Sequence, residues 1–390
     1  MKRNNSDLFS LRSKNILIIS TNQWSILFLS KHHYAIELAK RGNIVYFLNP
    51  MSNDFRKWLE IENPVELKNL HVITCKPFFP LMLRFHMRWL FDLLMSIQLK
   101  WIMKKVNVDF DVIWCFNPYY LSTFKIFKSE LNIYHIVDQI VCKPEFRPAL
   151  SADLVLSVSE FILKGLKIYN KCCFLVNHGT GDDFVEHGRC ILEKDSFVTI
   201  GSRIKVGYVG SLFAKMVDRT ILKKIIVENP VIEFVFWSPI ILSDCNMGAW
   251  ESPESIGFVE FLKIQKNVTL MGVKPQNVLA DEIQEMDAFI VCYDMNNECN
   301  KCSNSHKILE YLSTGKVVIS SYISEYKEKS GLMEMLEDGD NEMFPDLFKK
   351  TIDNVALRNS PERQRKRIEF ALDNSYFKQV DRIEKLIQRI

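Results

Sequence analysis

The chain lacks any uninterrupted apolar run of 18 residues, the length a transmembrane helix needs, so no membrane-spanning segment is expected in its 390 residues. It also lacks a strong charge bias. Fifty Lys and Arg against 47 Asp and Glu leave a net charge of +3. With neither a concentrated basic footprint nor a recognisable nucleic-acid module, no nucleic-acid partner is expected. No GxGxxG follows the first strand, which excludes the dinucleotide fingerprint. The opening MKRNNSDLFSLRSK has no apolar segment of the kind a secretory signal requires. Its ten cysteines therefore read as free thiols of a reducing, cytoplasmic compartment. Cys299 and Cys302 form a CxxC, but no second ligand pair lies at workable spacing, so no metal site is assigned. Repeats and low-complexity tracts are absent.

What remains is an ordinary globular composition, 47% hydrophobic and 25% charged. The length suits two packed domains of about 150–200 residues each. Residues 15–20 (NILIIS) read as a buried strand, 30–41 as a helix stopped by Gly42, and 44–48 as a second strand closed by Asn49-Pro50. That is a βαβ unit and hence a parallel sheet. Further buried strands are expected at 72–75, 111–116, 132–138 and 153–158. Residues 185–203 are charged and weakly patterned and read as a linker. A second α/β series opens at 204–211 (IKVGYVGS), with strands at 232–237, 267–272 and 287–293 and helices at 218–228 and 278–285. The last 30 residues have helical spacing. Residues 78–106 stand apart: large aromatics and methionines mixed with Arg84, Arg88, Lys100, Lys104 and Lys105 against the single acid Asp92. An amphipathic, basic, aromatic helix of this kind reads either as a membrane-surface element or as a core helix with a solvated face.

The most informative stretch is 304–320, NSHKILEYLSTGKVVIS. Asn304 or Ser305 can cap a short helix, Gly315 ends it in a left-handed turn, and Val317, Val318 and Ile319 form a buried parallel strand. Lys307 and Glu310, three apart, share one helical face. A cation can meet a diphosphate there, and a carboxylate can accept from ribose hydroxyls.

This stretch resembles the donor-site helix of GT-B glycosyltransferases, with its Lys-x-x-Glu-Tyr-x-x-x-Gly-Lys-x-Val-Val pattern. Residues 30–50 are similar to the opening helix and second strand of such proteins. NHGTGDDF at 177–184 resembles, in part, their His-Gly-Val-Asp-x-x-Phe stretch. The resemblance is to bacterial group 1, or GT4-like, transferases of surface-polysaccharide assembly. It implies an α/β GT-B fold: two Rossmann-like domains with parallel sheets facing an interdomain cleft. The acceptor domain would span 1–190 and the nucleotide-sugar domain 204–360. A terminal helix, 361–390, would cross back to the first domain.

The resemblance further implies a glycosyltransferase that moves a sugar from a nucleotide-sugar donor to a glycan acceptor, one that is lipid-linked and part of cell-surface polysaccharide synthesis. The enzyme would act at the inner face of the cytoplasmic membrane, in peripheral contact with anionic lipid. It would need no metal or other cofactor. Gly210, Ser211, Lys215, Ser305, His306, Lys307 and Glu310 are the expected donor-binding residues. Asp138, at the end of a buried strand, is the candidate catalytic base of an inverting reaction. His178 and the Asp182-Asp183 pair are alternatives, and Trp24 is a candidate stacking platform for an acceptor sugar. One departure is plain. Many retaining GT4 members carry Glu-x7-Glu, and here the first glutamate is replaced by Cys302, with Glu298 out of register. A nucleotide-sugar epimerase of the same fold and a non-catalytic binding protein remain as alternatives.

Overall fold

The computed structural model describes residues 9–64, 67–137, 146–197, 201, 203–241, 252–297, 304–337 and 340–390. The candidate base Asp138, together with Glu298, Cys299 and Cys302, lies outside the described residues. The chain forms two compact units, residues 1–177 with 376–390, and residues 178–375.

In chain order the first unit contains β1 (Asn15–Ile19), α1 (Ser30–Lys40), β2 (Ile44–Leu48), β3 (Leu59–Glu62), β4 (Leu70–Cys75), α2 (Leu83–His86), α3 (Arg88–Val106), β5 (Val112–Cys115), β6 (Leu131–Ile136), β7 (Leu154–Ser157), α4 (Glu160–Leu166) and β8 (Cys173–Leu175). The sheet order is β3-β4-β2-β1-β5-β6-β7-β8. Every pair is parallel except the antiparallel edge strand β3. β5 and β7 are buried along their whole length and mostly apolar because both faces are covered. The sequence did not mark β3, since LEIE carries too few β-formers to stand out; it is held by pairing at the edge.

The second unit contains α5 (Asp182–Lys194), β9 (Lys205–Val209), α6 (Arg219–Glu228), β10 (Glu233–Trp237), α7 (Pro253–Ile264), β11 (Val268–Leu270), α8 (Gln276–Glu282), β12 (Ala288–Val291), α9 (Lys307–Ser313), β13 (Val317–Ser320), β14 (Glu334–Met335), α10 (Phe344–Asp353), α11 (Val355–Arg358) and α12 (Pro361–Asp373). Its six strands are all parallel, in the order β11-β10-β9-β12-β13-β14. The expected linker is corrected here: residues 182–194 are helix. Asp182 and Asp183 occupy the first turn of α5, where acids complement the helix dipole, and Phe184 is fully buried in the core.

The last segment is two helices rather than one. The chain turns at Asn374–Ser375, and α13 (Tyr376–Ile387) belongs to the first unit. Tyr376, Val380, Ile383 and Ile387, at helical spacing, complete a core with Tyr34, Ala35 and Leu38 of α1. The Tyr376 hydroxyl donates to Ser30 Oγ at 2.9 Å, and its ring stacks on His33 at 4.5 Å.

Candidate functional site

In open α/β sheets, ligands bind outside the carboxyl ends of the strands, where the strand order reverses. In the second unit that point is β9, flanked by β10 and β12. Gly207 on β9 stands opposite Phe289 of β12. A Cβ at Gly207 would lie 2.8 Å from the Phe289 ring, so glycine is what admits that ring. Phe289 in turn stacks on Tyr311 of α9, with centroids 4.2 Å apart and planes 5° from parallel. The Tyr311 hydroxyl accepts from Val209 N at 2.7 Å and donates to Val209 O at 3.2 Å. This stack clamps α9 to the last residue of β9, and from Ile308 to Ser313 every α9 residue is buried. The expected cap is refined. The cap position falls to His306, whose side chain makes no capping bond, and Ser305 Oγ, one residue earlier, accepts from Lys307 N at 3.4 Å. Gly315, at φ +77°, ends the helix as the sequence indicates.

The clamp brings together Gly210, Lys307, His306 and Glu310. Glu310 is buried, and burial drives its pKa from 4.5 up to about 7, with the Lys307 ammonium acting in the opposite sense. His306 Nε2 is 3.7 Å from Glu310 Oε1, beyond hydrogen-bonding distance. The His306 ring meets His178 edge-on at 5.8 Å, and His178 Nε2 donates to the Asn304 carbonyl at 2.9 Å. His178 thus braces the loop that leads into α9. Tyr293, just past β12, hydrogen-bonds Ser305 and is buried, with its pKa raised by that burial to about 12.

Gly210 has φ +148°, a region essentially reserved for glycine. A Cβ there would lie 3.5 Å from Lys307 Cε and 3.4 Å from the Tyr208 hydroxyl, ordinary contact distances, so it is the backbone angle rather than crowding that calls for glycine. Gly210→Ala is expected to lower the unfolding free energy by about 1–3 kcal/mol, measured by urea denaturation. An unchanged midpoint would mean that the φ is not required.

Beyond Gly210 the chain loops from Ser211 to Val217. Ser211 Oγ accepts from Phe213 N at 3.2 Å, and Lys215 is exposed on the loop. Lys307 is a cation that acts on Glu310. Asp218 caps α6, accepting from Ile221 N at 3.0 Å and from Asn341 Nδ2 at 2.9 Å. The residue that holds the loop is one the sequence did not single out. Arg219, buried, donates from Nε and Nη2 to Leu212 O at 3.2 and 3.0 Å and from Nη2 to Ala214 O at 2.8 Å. An arginine in the first turn of a helix carries no motif, so only the fold reveals this role.

In the first unit the reversal falls at β1, flanked by β2 and β5. Lys31, fully buried, donates to Thr21 Oγ1 at 2.7 Å and to Asn22 Oδ1 at 2.6 Å. Asn117 Nδ2, after β5, donates to Ser20 O at 3.1 Å. Trp24 packs on Phe47, His32 and Phe28 with centroids 4.9, 5.3 and 5.5 Å away, which favours a packing role over an open stacking platform. Among the described residues, no group of three or more His, Cys, Asp and Glu could hold a metal ion.

No family model and no curated protein sequence matches the chain. Solved structures do. An α,α-trehalose-phosphate synthase (UDP-forming) from Burkholderia vietnamiensis aligns with a TM-score of 0.64 at 13% identity, covering 97% of this chain and 100% of its own. The sucrose-phosphate synthase of Thermosynechococcus elongatus gives 0.66 at 12%, covering 96% and 98%. Anabaena Alr3699/HepE, solved with UDP and glucose, gives 0.62 at 12%, covering 97% and 100%. The chain has the GT-B fold of these glycosyltransferases.

Proposed function

We propose that this protein is a glycosyltransferase that transfers a sugar from a nucleotide-sugar donor to a glycan acceptor. The observation that carries the reading is the buried Glu310, set beside Lys307 and Gly210 at the carboxyl end of the second sheet. Leaving a carboxylate buried against its solvation preference is costly, and a donor's ribose hydroxyls would repay it by donating to both oxygens. In this reading Lys307 neutralises the diphosphate as it leaves, with Lys215 reaching it from the loop. The backbone at Gly210 and Ser211 makes the close approach that a side chain would block. Ser305 and His306 shape the entry to α9, and no resident metal takes part. Several structural neighbours are solved with UDP or are UDP-forming enzymes, which makes UDP-sugars the first donors to try.

The finer reading has the acceptor as a lipid-linked glycan of cell-surface polysaccharide, built at the inner face of the cytoplasmic membrane. Asp138 is proposed as the base that takes the acceptor's proton in an inverting reaction.

The test is nucleotide release from a panel of UDP- and GDP-sugars, with and without lipid-extracted acceptor, followed by chromatography. Acceptor-dependent release of UDP or GDP is expected. Conversion of the donor sugar without acceptor would mean an epimerase, and binding without release would mean a non-catalytic protein; either result sinks the transfer reading.

A further inference from the structure

Helix α3 faces the core with one stripe and solvent with another, and both are apolar. Phe91, Met95, Leu99 and Ile102 are buried in the first unit's core. On the other side Trp89, Leu93 and Ile97, each four residues from the next, are 68%, 53% and 52% exposed. A surface helix of a water-soluble domain carries polar residues on that side. The stripe continues backwards onto Phe85 and Met82, both 61% exposed, and forwards onto Lys100 and Lys104, which are exposed and complete the same helical row. Alongside it runs an aromatic cluster. Trp58 and Phe78 lie 5.8 Å apart, Phe78 and Trp101 4.7 Å, and Lys76 sits 5.8 Å over the Trp58 ring. Such a patch on a protein surface marks a site of interaction.

Its charge says with what. Between residues 76 and 105 there are six cations, Lys76, Arg84, Arg88, Lys100, Lys104 and Lys105, and one acid, Asp92. That acid is already neutralised twice, by Arg88 Nε at 2.8 Å and Arg147 Nη1 at 2.9 Å. Within α2 and α3 no other carboxylate opposes the lysines at the end of the stripe. Tryptophan beside apolar side chains, with lysines at one end, matches the interface of a bilayer: rings and aliphatic groups at the headgroup–acyl boundary, ammonium groups on lipid phosphates. Two copies of the chain meeting on this face would instead bring together two surfaces of the same sign. No described helix is long and apolar enough to cross a membrane, so the mode is docking in the plane.

We propose that the outward face of α2 and α3, with the Trp58–Phe78–Trp101 cluster, docks this protein onto a bilayer containing anionic phospholipid. The proposal rests on the transferase reading only in giving the acceptor its location, and it is tested separately. Vesicles of phosphatidylcholine, with and without 30% phosphatidylglycerol, are sedimented with the full chain at low and physiological salt. Wild type is expected to bind the anionic vesicles at least roughly tenfold better than the neutral ones. The double variant Trp89→Glu/Leu93→Glu changes two exposed side chains and should leave the unfolding midpoint and UDP binding intact. It is expected to lose vesicle binding at both salt concentrations. Lys100→Glu/Lys104→Glu should lose mainly the preference for phosphatidylglycerol. Wild type that ignores anionic vesicles at low salt overturns the proposal, as does a double variant that binds like wild type. A wild-type dimer in light scattering that the double variant abolishes would assign the face to a second copy and overturn it too. UDP titration on the same samples keeps failure of the docking surface distinct from failure of the donor site.

Discussion

Glu310→Gln is expected to be more stable than the wild type at pH 8 and to lose most of its nucleotide affinity. Burial holds the folded-state pKa of Glu310 at about 7, against 4.5 when unfolded. Between those values the folded chain binds more protons than the unfolded one, so its stability falls as pH rises through the window. Above pH 7 the penalty is complete, and 1.36 kcal/mol per pKa unit makes it about 3 kcal/mol. Glutamine keeps the shape and does not titrate. The variant should therefore gain on the order of 3 kcal/mol at pH 8 and almost nothing near pH 4.5, read by urea unfolding across the range. A gain that does not vary with pH would show that Glu310 is not the titrating group. The binding loss follows from chemistry: ribose hydroxyls donate more strongly to a carboxylate than to an amide oxygen, by about 1.5–3 kcal/mol. Wild-type affinity should accordingly rise as pH passes through 7, and that of the variant should not.

Arg219→Leu is expected to be the most destabilising of the single changes around the site. The guanidinium is the donor to two buried-side carbonyls, Leu212 O and Ala214 O, through three hydrogen bonds. Hydrogen bonds to charged groups contribute about 1.5–3 kcal/mol each, and carbonyls left without partners add their desolvation cost. Leucine restores part of the packing and none of the bonds, so a loss of at least about 4 kcal/mol is expected. The loop from Ser211 to Val217 would loosen with it, and affinity for nucleotide should fall even at temperatures where the variant is fully folded. A variant that unfolds early but binds as tightly as wild type would separate the loop from the donor site.

The framework of the fold was legible because its signals are local. β1, α1 and β2 follow from a β-branched run, a helix stopped at Gly42, which adopts φ +86°, and a second apolar run. The short helix before β13 was legible for the same reason. α5 was not. Its apolar face is sparse, with Phe184 and Gly188 its buried residues, and Gly188 is there because a Cβ would come within 3.1 Å of Ser313 O. That is a packing constraint set by α9, 125 residues away in sequence numbering. β3 and β14 are edge strands held by pairing rather than by propensity, which single-sequence periodicity cannot see. In the site, Glu310 and Lys307 were legible through spacing and resemblance. Arg219, Tyr311 and the Gly207–Phe289 contact were not, since each depends on which strands become neighbours. Residues 78–106 left two readings open, membrane element or core helix, and α3 is apolar on both sides.

The central claim is a nucleotide site built on Glu310, and calorimetric titration of the wild type and Glu310→Ala with UDP, GDP and their sugars tests it most directly. One nucleotide is expected to bind the wild type and to stabilise it by about 2.7 kcal/mol at 100 times its dissociation constant, with Glu310→Ala folded but unresponsive. A Glu310→Ala protein that binds that nucleotide as tightly as the wild type would contradict the account.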